Sequence, residues 1–94
     1  MSTGWVIGVM VELPGETAPV RHFYAIGHED RAKAEWTAID NAMLIGQIAT
    51  SPVGGLEPVE ALGFLSTPAM RSLGLAPGHT RALGDRWPRR WLKR

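Results

Sequence analysis

The chain carries three histidines, nine carboxylates, several serines and no cysteine. Without a thiol there can be no disulfide, thiolate zinc site, iron–sulfur cluster or cysteine nucleophile. Metal, acid–base and serine chemistry are what is left to look for. His22 and His28 both have even numbers and would share one face of an alternating strand, with Glu29 or Asp30 close enough to complete a nitrogen–oxygen metal site. Six residues of extended chain span roughly 20 Å, however, which is too far for joint ligation unless the backbone bends at Gly27. No metal-binding spacing is present, and no metal or other cofactor is expected.

His28-Glu29-Asp30 is the densest acid–base cluster. A helix N-terminus attracts acids for electrostatic reasons alone, which explains the cluster without catalysis. Ser51, Ser66 and Ser72 lack the Gly-x-Ser-x-Gly elbow that exposes a nucleophile. Val53-Gly54-Gly55-Leu56 has neither the Lys-Ser/Thr of a phosphate-binding loop nor the glycine spacing of a dinucleotide fingerprint. No catalytic constellation is visible, so the sequence is read as non-enzymatic.

The strongest functional signal lies at the C-terminal end. Residues 1–80 hold four bases against eight acids, a balance of −4, whereas residues 81–94 hold six bases against Asp85, a balance of +5. In that segment Arg86, Arg89, Arg90, Lys93 and Arg94 are interleaved with Trp87 and Trp91. Three uses compete. Guanidiniums can neutralise phosphates while the rings stack on bases, as in contact with single-stranded nucleic acid. If Pro88 opens a helical turn, Trp87 and Trp91 fall four apart on one side, as at a membrane surface, though the segment is short for an anchor. The third use is structural: Trp87, Trp91 and Leu92 pack on the body while the bases pair with its acids.

The elements that would position these groups follow from pattern. Trp5 to Leu13 is rich in β-branched and aromatic residues and reads as a first strand, with Trp5, Ile7, Val9, Val11 and Leu13 on one face and Val6, Gly8, Met10 and Glu12 on the other. Pro14 to Pro19 collects turn formers, and Val20 to Gly27 returns as the second strand of a hairpin, with His22, Tyr24 and Ile26 on one face and Arg21, Phe23 and Ala25 on the other. Ala32, Trp36, Ile39 and Met43 recur at helical spacing, predicting a main amphipathic helix over about 30–47 that buries those four residues on the sheet. Leu56 to Leu65 reads as a third strand, parallel to the second because a helix connects them. Ser66-Thr67-Pro68 and Gly74 bracket a short helix over 68–73.

The expected fold is therefore α+β, a three-stranded sheet with one main helix and a short second helix, forming a single domain over 1–80 with a basic tail over 81–94. A single helix covers one face of such a sheet, yet the first strand is apolar on both. Either the tail or a second copy of the chain must cover the other face, and the expected answer is a homodimer whose self-association face includes Val6, Met10 and Phe23. No apolar run has the basic flank of a signal peptide or the ~20-residue length of a membrane span, so a cytoplasmic protein is expected. The leading functional expectation is a small self-associating interaction module. Nucleic-acid binding through the tail is the alternative, and a ligand pocket at the dimer seam using His22, His28 and Tyr24 is a third.

Overall fold

The computed structural model describes residues 3–92. In chain order they form β1 (Gly4–Glu12), β2 (Val20–Ile26), α1 (Arg31–Ala42), β3 (Gln47–Ile48), β4 (Val59–Leu65), α2 (Thr67–Leu73) and β5 (Thr80–Gly84). The class is α+β, but the sheet has five strands where three were expected, and every pairing is antiparallel.

β1 and β2 form the expected hairpin, in register from Trp5 opposite Ile26 to Val11 opposite Val20. The other edge of β1 is shared by two strands, one after the other. β4 pairs along it from Gly4–Leu65 to Val9–Val59, and β3 continues at Val11–Ile48 and Glu12–Gln47. β4 does run in the same direction as β2, as a helical crossover requires, but β1 lies between them.

The two missed strands have local causes. The main helix stops at Ala42, well short of 47, because Gly46 crosses β1 so closely that a Cβ there would run into the carbonyl oxygen of Glu12. That approach delivers Gln47 and Ile48 to the edge of β1, turning an expected last helical turn into β3. β5 occupies the first residues of the expected tail. Thr80 to Gly84 has little strand character of its own, and the open edge of β2 supplies its partner. The 76–79 turn leads into it, with the Gly27 N–H donating to His79 O at 2.8 Å and the Gly78 N–H to Gly27 O at 2.7 Å.

α1 starts where the Asp30 carboxylate accepts the Lys33 N–H at 3.1 Å. Its buried face differs from the expected one. Ala34, Ala38 and Ala42, four apart, lie against the sheet, while Trp36 is 68% and Met43 62% exposed. Methyl side chains let the helix backbone come close to β1, leaving no room beneath it for an indole or a thioether. α2 matches expectation. Ser66 caps it through the Ala69 N–H, and Gly74 ends it at φ 66°, the left-handed geometry that returns the Leu75 N–H to Met70 O.

The sheet thus has two apolar layers. α1 covers Ile7, Val9, Val11, Tyr24 and Ile26 on one side. On the other, Val6, Ala25 and Leu65 are covered by Met70, Leu73, Leu75 and Leu92, with Leu83, Trp87 and Trp91 at the margin. The chain's own C-terminal segment closes the second face.

Candidate functional site

After β5 the chain makes one helical turn opened by Pro88, in which the Leu92 N–H donates to Pro88 O at 2.9 Å. The turn aims its apolar residues at the sheet. Leu92 is buried over Gly63 of β4, where a Cβ would collide with Leu92 Cδ2. Trp87 is half-buried and meets Phe23 edge to face, ring centroids 5.7 Å apart. Trp91 is also half-buried and carries the Arg90 guanidinium 4.9 Å above its ring.

The bases of this segment behave differently from its rings. Arg86, Arg89 and Arg90 are exposed, and the ion pairs among the described residues, Arg21–Glu60 and Arg31–Glu35, include none of them. Among the described residues Arg71 and Arg81 on the same side likewise have no carboxylate within ion-pair distance. Lys93 and Arg94 lie outside the described residues.

A hollow of about 350 Å³ opens beside the tail, lined by Ser72 and Leu73 at the end of α2, Arg81, Ala82 and Leu83 of β5, and Arg90 and Trp91. Arg81 Nη1 donates to Leu73 O at 2.5 Å and ties β5 to α2. A second, larger hollow of about 500 Å³ lies between the end of α1 and β3, lined by Ile39, Met43, Gly46, Gln47 and Ile48. Ile39 and Met43 share a helix flank with Trp36, and this hollow places the end of that flank beside β3. Leu44, 83% exposed, continues the apolar surface past the helix end. Among the described residues β4 pairs only with β1, so its outer edge is open.

The residues expected to form a self-association face sit inside the fold. Val6 is part of the second apolar layer, Phe23 lies against Trp87, and Met10 is buried. The alanine stripe at 34, 38 and 42 is the sequence signal that turns the opposite, apolar flank of α1 to the surface.

His22 stands opposite Val9 on the α1 side of the sheet, half-buried, and His28 lies in the connection to α1. Among the described residues no three His, Asp or Glu side chains are grouped to hold a metal ion. Tyr24 is buried beneath α1, and burial raises its pKa above the ordinary phenol value. Neither hollow described above is lined by His22, His28 or Tyr24. No helix among the described residues is long and apolar enough to cross a membrane. Comparison with protein-family models, curated proteins and solved structures finds no match to this chain.

Proposed function

We propose that the chain is a non-enzymatic interaction module that self-associates through the apolar flank of α1 and the open edge of β4. The observations that support this are the exposure of Trp36 and Met43 on a helix packed against the sheet and, among the described residues, the unpaired outer edge of β4. Each such side chain is worth about 1.5–3 kcal/mol when fully covered. A standard interface needs ~800 Å² per partner, a modest share of the 5872 Å² accessible on this chain.

A second copy is the occupant that fits both features. An open edge offers N–H and C=O groups that another strand satisfies, and β4 paired antiparallel with its own copy closes a two-fold dimer. α1 carries Arg31 and Lys33 against Glu35 and Asp40, so two copies of the helix meet without net repulsion.

Sedimentation velocity on the full chain and on a W36K/M43K variant tests this. The expected result is a two-chain mass for the natural sequence and a one-chain mass for the variant, with unchanged circular dichroism. A one-chain mass for the natural sequence at micromolar concentration would overturn it.

A second reading, contact with nucleic acid through the tail, is favoured by the absence, among the described residues, of carboxylate partners for Arg86, Arg89 and Arg90. Phosphate neutralisation would carry it, since Trp87 is already engaged with Phe23. Removing Arg86 and Arg89 together should lower the salt slope of single-stranded oligonucleotide binding by about 0.7 for each phosphate that is no longer neutralised. A salt slope identical to that of the natural chain would exclude it.

A further inference from the structure

We propose that the hollow between the end of α2, β5 and Trp91 binds a phosphate group. Three segments from the last quarter of the chain, 72–73, 81–83 and 90–91, converge there and place Arg81, Arg90 and Ser72 along one concavity. Neither arginine has a carboxylate partner among the described residues, so the hollow carries two uncompensated positive charges. A phosphate monoester, with nearly two negative charges, matches that balance and a strand phosphodiester, with one, matches half of it; either presents oxygens to both planar forks and to a hydroxyl.

Both arginines are held before any ligand arrives. Arg81 is fixed by its hydrogen bond to Leu73 O, which uses Nη1 and leaves its other N–H groups for a ligand. The Arg90 guanidinium carbon sits over the Trp91 ring, 4.9 Å from its centroid. Side chains already restrained lose less freedom on binding, which is where an open, solvent-facing site most needs help. The Arg81 bond also occupies a carbonyl at the negative end of α2 that would otherwise face an incoming anion.

The phosphate can belong to a small phosphorylated molecule or to a nucleic-acid strand. The second source rests on the nucleic-acid reading above; the first does not. Self-association through α1 and β4 is independent of both.

The test is NMR of the full chain, following the Arg Nε–H and Trp indole signals during titration with inorganic phosphate at constant ionic strength, with chloride as control. Saturable shifts are expected at Arg81, Arg90 and Trp91 and not at Arg86 or Arg89. R90Q should weaken the binding by about tenfold, the loss of one charge-assisted hydrogen bond, while R86Q leaves it unchanged. R81K, which keeps the charge but not the fork, should weaken it without unfolding the chain. Shifts that never saturate, that chloride reproduces, or that appear equally at Arg86 and Arg89 would overturn the site.

Two competitors separate the sources. A nucleoside monophosphate that displaces phosphate while an oligonucleotide does not supports a small ligand at this site. Displacement by a single-stranded oligonucleotide supports a strand phosphate at the same site. An oligonucleotide that binds through Arg86 and Arg89 while phosphate leaves Arg81 and Arg90 unmoved sinks the site and keeps the nucleic-acid reading. Phosphate saturation with no oligonucleotide binding does the reverse.

Discussion

Arg21 of β2 reaches Glu60 of β4 by lying across Gly8 of β1, bringing its Nη2 within 3.3 Å of Oε1. The strand between them is bridged because it has no side chain at that point. On the way the guanidinium passes 5.6 Å from the Phe23 ring, which in turn meets Trp87. The Arg21 side chain is only 14% exposed against 42% for Glu60, so the arginine stem acts more as a cover for the sheet than as half of an ion pair.

Gly8→Ala is therefore expected to cost more than removing the charge of Glu60. A Cβ at position 8 would stand 2.8 Å from Arg21 Nε and 3.0 Å from Leu62 Cδ1, forcing both to move. Overpacking of this kind costs about 1–3 kcal/mol, whereas a part-exposed pair is worth ~0–1 kcal/mol. Urea unfolding of G8A and E60Q should show the glycine variant as the less stable of the two.

Ala38→Leu tests the close approach of α1. Ala38 is fully buried between Ala34 and Ala42, and a leucine there must lift the helix from β1. A loss of about 1–3 kcal/mol is expected from overpacking alone. The equivalent change on the exposed flank, Trp36→Leu, should stay within ~0.5 kcal/mol. Thermal unfolding at low protein concentration checks both.

These two positions also show how far the sequence could be read. The hairpin, the faces of β1 and β2, and α2 with its Ser66 and Gly74 caps were legible, because each follows from residues adjacent in the chain. The spacing of Trp36 and Met43 locates α1 but gives it the wrong rotation. What decides rotation is how near the helix must come to the sheet, and that favours Ala34, Ala38 and Ala42. β3 and β5 were not legible at all. A two-residue strand and the Thr80–Gly84 segment have no periodicity to detect, and each exists because a distant strand left an edge to pair with. The hollow around Arg81 and Arg90 was hidden for the same reason, since its two arginines come together only once β5 is in the sheet.

Leu92→Ala should be among the more damaging single changes. Leu92 is buried over Gly63 and belongs to the second apolar layer, so truncation leaves a void where the backbone of β4 allowed closest packing. A loss of about 2–5 kcal/mol is expected. Chemical denaturation followed by tryptophan fluorescence reads it, because Trp87 and Trp91 flank the site.

Stability should fall at high pH through Tyr24. Burial holds its phenol neutral and raises its folded pKa above the unfolded value of about 10. The stabilisation is complete below the unfolded value and is lost as pH rises through the folded one, because the ionised form is accommodated only when the chain opens. Tyr24 is the sole tyrosine, so tyrosinate absorbance reports on it alone. Ionisation delayed past the ordinary phenol range and coincident with loss of circular dichroism is expected; titration at about pH 10 with the fold intact would refute it.

The closing of the second layer by Leu92 imposes an order on events at the ribosome. Val6 precedes Leu92, the last of the side chains that cover its layer, by 86 positions. At synthesis rates of about 5–20 residues per second, that separation leaves the second layer incomplete for roughly 4–17 s. Val6 and Ala25 have no cover until Met70, Leu73 and Leu75 are made, and the cover stays incomplete until Leu92 follows, which makes the growing chain, more than the finished one, the natural client of a chaperone.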